Sequence, residues 1–261
     1  GIQQRARHFG YSVIIVDTQY ERSREKEAII DLIRQRVMGV ILTTASIENN
    51  EALSILRELS FPFCLVHNQS ANEPCVYVDN YQAGWDVAEK ILALNHQKIG
   101  MVAGSFKSSD RAKQRYLGFT SRLEQQVNLP AISLVEVDQY AAMPFSQVFK
   151  DYFGSIAAPT AWFCSNDLLA LKLISHLKAK DIAIPEQVSV IGFDGMALAQ
   201  VLFPSLSTIQ VPHHTMGVCA VDILFNSKQK TSLPTLRRLD YHPHFMGTLA
   251  ECQSKKTHSI I

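Results

Sequence analysis

Short runs of β-branched and aromatic residues alternate along this chain with longer stretches in which apolar residues recur every three to four positions. An apolar run of roughly four to eight residues bounded by turn formers fits a strand covered on both faces, and the longer spacing fits a helix with one buried stripe. The pattern predicts strands over Ser12–Val16, Val40–Thr43, Pro62–Val66, Lys98–Val102, Ser133–Val137, Thr160–Cys164 and Val188–Gly192. It predicts helices over Arg24–Arg36, Asn50–Glu58, Tyr81–Leu94, Asp110–Gln125, Pro144–Phe153, Asp167–Lys178 and Met216–Phe225. Strand, helix, strand in this order is the signature of parallel sheets joined by crossover helices, so the fold class is α/β. Such sheets bind ligands beyond the carboxyl ends of their strands, which directs attention to the loops that follow each strand.

The first series of elements ends near Val102–Phe106, at Gly104-Ser105, and a second begins without any Pro, Gly or Ser tract to act as a tether. Two lobes are therefore expected within 261 residues, a length that also suffices to bury a full core. Hydrophobic residues at 47% and charged residues at 19% describe an ordinary globular protein. The 25 Lys and Arg against 24 Asp and Glu leave a formal charge of +1, which provides no basic footprint for a polyanion.

Five cysteines, Cys64, Cys75, Cys164, Cys219 and Cys252, show neither CxxC nor Cys/His zinc spacing, and Cys64 and Cys164 sit within apolar runs as small hydrophobes do. A reducing, cytoplasmic location is the expectation. No apolar stretch is long enough to span a bilayer and no basic-then-apolar leader opens the chain, so no membrane partner is expected.

Catalytic motifs are missing from the sequence: there is no GxSxG, GxGxxG or GxxxxGKS/T. His213-His214 and His242-Pro243-His244 lack the helical spacing of a metal pair and read as packed or exposed histidines. The expectation is a binding protein with no enzyme activity, no cofactor and no metal. More informative are polar residues at strand ends. Ala161–Cys164 runs into Ser165-Asn166-Asp167, where Asp167 fits a helix N-cap and Asn166 offers an amide to a ligand. Val188–Phe193 runs into Asp194-Gly195, which puts an aromatic and a carboxylate at a cleft edge; Asp194 reads equally as a ligand contact and as a turn-initiating Asp before Gly. Arg115, three residues before Gly118-Phe119, is either a solvated helix residue or a guanidinium gripping a planar or vicinal-oxygen group.

Taken in order, these residues resemble the effector-binding core of the lactose-repressor (LacI/GalR) family of bacterial transcriptional regulators, which is periplasmic-binding-protein-like. The segments that carry the resemblance are Gly10-Tyr11 with Val13-Ile14, Val37–Ile41, Val78-Asp79-Asn80 with Gly84, Leu94-Asn95-His96 with Lys98-Ile99, Arg115 with Gly118-Phe119, Pro159–Asp167, Ile184-Pro185 with Val188–Asp194, and Pro204–Ile209. Each is weak alone; their shared order along the chain is the signal.

The resemblance implies two Rossmann-like lobes with parallel sheets, linked by three crossovers. The first lobe is expected to comprise residues 1–103 and about 213–240, and the second 104–212 and about 241–261. It implies a homodimer, a small polar effector (a sugar or nucleoside-like molecule) held between the lobes, and operator DNA bound through a headpiece. The chain begins after the positions of that headpiece, the hinge helix and the first core strand, and Gly1–His8 looks like the end of the first core helix. Arg115, Asn166 and Asp194 match effector-contacting positions, Thr43 and Thr44 follow a strand at another, and Phe193 is an aromatic flank. Alanine at Arg115 or Asp194 is expected to weaken binding with little effect on folding. The chain departs from the family at Gly195, Val211, Asn95 and Phe245, where Asp, Gln, Gly and Arg are common, so no relative's ligand can be copied. A sugar-binding protein of a transport system is the alternative.

Overall fold

The computed structural model describes residues 1–126, 132–137, 149, 158–226 and 235–253, and the helix expected over Pro144–Phe153 lies outside them apart from Phe149. The chain divides into two compact units. The first comprises Gly1–Asn80, Ser105–Gln114 and Val211–Tyr241; the second comprises Tyr81–Gly104, Arg115–Gln210 and His242–Ile261.

The first unit is built on strands β1 (Val40–Leu42), β2 (Phe63–Val66), β3 (Cys75–Tyr77) and β9 (Leu236–Arg238), all parallel and in that spatial order. Helices α2 (Arg22–Arg34) and α3 (Glu51–Glu58) pack together, while α1 (Ile2–His8) packs on α8 (His213–Asn226), which lies over β2 and β3. Ile29 of α2, Leu53 and Leu56 of α3, and Val40, Leu65 and Cys75 of the sheet form one apolar core, so the helical spacing read from the sequence is the spacing that is buried. Asn50 caps α3 by accepting from the Leu53 amide at 3.1 Å, and its own amide donates to the buried Glu25 carboxylate.

One expected strand does not form. Ser12–Val16 forms no strand and makes no backbone hydrogen bond among the described residues, and Ile14, Ile15 and Val16 are 53, 77 and 49% exposed. Its β-branched residues favour extended backbone, but a strand is stabilised by the ladder it joins, and β1 ends its sheet with β2 as its only neighbour.

The second unit carries β4 (Ile99–Gly104), β5 (Ser133–Val137), β6 (Ala161–Cys164), β7 (Ser189–Asp194), β8 (Ser207–Gln210) and β10 (His242–His244), in the order β10-β8-β7-β6-β4-β5. All neighbours are parallel except β10, which runs antiparallel along β8 at the edge. Its helices are α4 (Asn80–Ala93), α5 (Asp110–Leu123, of which residues from Arg115 onward belong here), α6 (Asp167–Lys178) and the short α7 (Ala197–Gln200). The lobe boundary expected after residue 103 is corrected by strand pairing. β4 hydrogen-bonds with β5 and β6, so Tyr81–Gly104 belongs to the second unit, while Ser105–Gln114 falls in the first. Strands β3, β8, β9 and β10 were not read from the sequence; three are only three residues long, and β9 and the first two residues of β10 are exposed.

Asn95 closes α4 in the left-handed conformation at φ +61, the position where the family commonly has Gly. Asparagine tolerates that conformation better than other side chains, and its amide donates to Glu251 at 2.9 Å. Beside it His96 is buried, its Nε2 3.0 Å from the Ala250 carbonyl and its Nδ1 3.0 Å from the Thr160 hydroxyl, and the Cys252 amide donates to Leu94. These bonds fasten residues 250–252 to the sheet. Burial lowers the His96 pKa, partly opposed by the Ala250 carbonyl. The unfolded chain therefore takes up the proton first, and stability is lost as the pH falls below about 6.5. The stability advantage of the native protein over His96→Gln, measured by urea unfolding, should shrink between about pH 7.5 and about pH 5.5. An advantage constant over that range would contradict this assignment.

Candidate functional site

Arg115 does not stand in solvent. Only 7% exposed, its guanidinium lies 3.4 Å above the centroid of the Phe193 ring and donates to the Ser165 carbonyl. Phe193, expected at a cleft edge, is fully buried beneath it. A guanidinium is weakly hydrated and stacks on aromatic faces, so this charge tolerates burial where a lysine would not. The structure thus gathers Arg115, Asn166, Phe193 and Asp194 at the carboxyl ends of β6 and β7 in the second unit. Because Arg115 covers Phe193 and serves the Ser165 carbonyl, alanine there is expected to cost stability, where the sequence predicted little effect on folding.

Asn166 takes the capping role expected of Asp167, while Asp167 takes neither expected role. Asn166, at φ −154 and ψ 165, is the N-cap of α6, and its side-chain oxygen accepts from the Leu169 amide at 2.8 Å. Asp167 is the first helical residue and is completely buried; its Oδ1 accepts from the Thr208 hydroxyl and its Oδ2 from the Met196 amide, both at 2.7 Å. Burial pushes its pKa up to about 6 against those hydrogen bonds, and the neighbouring Asp194 charge adds to the rise. Three consecutive cap-forming residues allow a one-residue shift that spacing alone does not resolve. Asp194 itself is partly exposed with φ +112, and Gly195 follows at φ +74.

The remaining two candidates, Thr43 and Thr44, lie past the end of β1 in the first unit. Thr43 donates to the Val66 carbonyl at 2.9 Å. Thr44 is buried, its backbone bracketed by the Asn68 side-chain amide, and its hydroxyl has no partner among the described residues. Around it runs a network that sequence reasoning missed. Asn68 donates to Asp110 at 2.8 Å, and Arg111 donates to the Thr44 carbonyl at 2.7 Å and to Asp110 at 3.0 Å, with its guanidinium 5.2 Å from the Tyr20 ring centroid. Burial raises the Asp110 pKa, opposed by the Arg111 charge. Asn68 lies two residues past the end of β2, as Thr44 does past β1, so the strand-end rule that selected Thr43 and Thr44 would have found it.

The Periplasmic binding protein-like domain model matches residues 88–245. The chain belongs to that family. Its relatives include the "Arabinose metabolism transcriptional repressor" of Geobacillus stearothermophilus, 27% identical over 94% of this chain and 70% of the relative. They also include the "HTH-type transcriptional regulator DegA" of Bacillus subtilis strain 168, 29% identical over 83% of this chain and 65% of the relative. A solved LacI family transcriptional regulator from Enterococcus faecium with bound ribose superposes with a TM-score of 0.81, at 23% identity, covering 97% of this chain and 92% of that one. The chain therefore spans about two thirds of the length of these curated repressors and corresponds to the core of LacI-family regulators.

Within this periplasmic-binding-protein-like core the other chemistry is quiet. No group of three His, Cys, Asp or Glu suited to a metal ion occurs among the described residues. The paired histidines take structural places: His213 opens the helical segment of α8 and its ring lies 5.1 Å from that of His67, while His242–His244 forms β10. All five cysteines are free thiols; burial pushes Cys64 up to about 12 and Cys164 well above its ordinary value, which keeps both protonated and unreactive. No helix among the described residues is long and apolar enough to cross a membrane.

Proposed function

We propose that this chain is the effector-binding and dimerisation core of a transcriptional regulator, taking a small hydroxyl-rich ligand, a pentose or a nucleoside. The observation that carries the reading is the strand-end cluster of the second unit, where a guanidinium held flat on Phe193, the Asn166 cap and the strained Asp194 carboxylate meet at the ends of β6 and β7. A sugar leaving water must recover its hydrogen bonds, and a guanidinium, an amide and a carboxylate are a fixed set of donors and acceptors for vicinal hydroxyls. One relative's name concerns arabinose metabolism and the solved neighbour holds ribose, which favours a pentose; both relatives are named as transcriptional regulators, which favours control of transcription over transport.

Effector binding acts by shifting a population, so the ligand must bind two conformations with different affinity. Operator DNA is contacted by a headpiece in the part of the relatives that this chain does not span. The homodimer is supported by an apolar patch on the second unit, where Leu198, Val201 and Phe203 are 57, 77 and 94% exposed.

Calorimetric titration with D-ribose, L-arabinose and adenosine tests the ligand class. Whichever binds, Asp194→Asn should weaken it by about 1.5–3 kcal/mol, the range for hydrogen bonds to a charged group. Arg115→Lys, which keeps the charge but loses the stacked fork, should weaken it comparably. Affinity unchanged in both variants, with circular dichroism intact, would remove the site from these residues.

A further inference from the structure

Asp194 and Gly195 both have positive φ, at +112 and +74, and a non-glycine residue at such a value costs energy unless its surroundings hold it there. What holds it is not on the same strand. The buried Asp167 carboxylate reaches from the first turn of α6 to the turn after β7, accepting the Met196 amide on Oδ2 and the Thr208 hydroxyl on Oδ1. Gly195 donates at 3.3 Å to Thr208 Oγ1, whose hydroxyl donates to Asp167 Oδ1, so its amide is tied to the carboxylate through one hydroxyl. The sequence makes room for this carboxylate: a Cβ on Gly192 would stand 2.2 Å from Asp167 Oδ1.

We propose that Asp167 is the positioning residue of the candidate ligand site: without touching ligand, it fixes the Asp194–Met196 turn and so sets where the Asp194 carboxylate points. This rests on the reading of Asp194 as a ligand contact, but the positioning itself can be measured without ligand. A buried carboxylate is normally excluded unless a specific set of donors requires it, and here the donors all come from the β7 turn and β8. The titratable or charged groups around it are Cys164 at the end of β6, Asp194 at the end of β7, and Arg115 over Phe193. Cys164 stays a thiol, and the Asp194 charge disfavours ionisation of Asp167.

Amide hydrogen exchange on the 261-residue protein tests the assignment. In Asp167→Ala the protection factors of Gly195 and Met196 should fall about tenfold or more, the worth of one lost charge-assisted hydrogen bond, while those of Trp162 and Val190 in the neighbouring strands change little. Gly192→Ala, which pushes the carboxylate aside, should reproduce the loss. In the native protein the same two protection factors should rise as the pH passes upward through about 6, where Asp167 ionises and becomes the stronger acceptor; Asp167→Asn should keep partial protection with no such rise. Protection unchanged at Gly195 and Met196 in the alanine variant overturns the proposal. If that variant fails to fold, a pH-independent protection in the native protein overturns it equally. None of these readouts involves ligand, so a failure here is distinct from a failure of the Asp194 titration.

Discussion

Replacing Trp162 with alanine should destabilise the second unit by about 3–5 kcal/mol, the usual cost of removing a fully buried large aromatic. Trp162 is the largest side chain with no exposed surface. Its indole rests on Gly100 of the adjacent strand, its register partner, where an added Cβ would come within 2.6 Å of the ring. On another side Phe149 meets it edge-on at 5.6 Å. The hole left behind has little means of collapse, because strands on both sides of β6 fix the backbone and Gly100 has no side chain to lean into it. Urea unfolding followed by circular dichroism gives the number; a loss below about 1.5 kcal/mol would mean the core relaxes around the gap. Asp194 sits at the end of the next strand, so this substitution should also loosen the candidate site.

Gly118→Val should destabilise the protein by about 3 kcal/mol, at the upper end of what overpacking costs. Glycine within a helix ordinarily invites the opposite prediction, since most residues improve helix propensity by up to about 1 kcal/mol over glycine. Here α5 presses against α4 so closely that a Cβ on Gly118 would lie 1.8 Å from the Tyr81 carbonyl oxygen. The obstruction is backbone, which cannot rotate away. The contact is reciprocal, since Gly84 of α4 faces the carbonyl of Arg115 with a corresponding Cβ distance of 2.1 Å. Forcing the helices apart therefore displaces Arg115 from Phe193. The chemical denaturation midpoint should drop, and a midpoint at or above the native value would show that propensity outweighs the clash.

Periodicity located most of the helices to within a few residues because the residues it counts are those that pack: Ile29, Leu53 and Leu56 on the first unit, Leu169, Leu173 and Leu177 on the second. Where it failed, the deciding interaction was remote in sequence. Ser12–Val16 has the composition of a strand and lacks a partner, whereas exposed Leu236–Arg238 has little strand character and pairs with β3. The site was legible as an address, the ends of β6 and β7, but not as a set of roles. Nothing in the spacing shows which of three consecutive cap-forming residues caps the helix, a choice made locally by the Leu169 amide, nor that Asp167 would be the buried anchor or that Arg115 would cover Phe193, since those two depend on partners more than twenty residues away in the chain.

The unpaired Ser12–Val16 segment also bears on colloidal behaviour. An exposed β-branched segment with no backbone hydrogen bond among the described residues is a template for strand addition from another molecule, without the lysines or prolines that usually blunt such a segment. A symmetric pair closes on itself, whereas strand addition has no natural stopping point. Self-association of the 261-residue chain is therefore expected to run through these residues, and a chain segment that pairs with them would act first as a stopper against it.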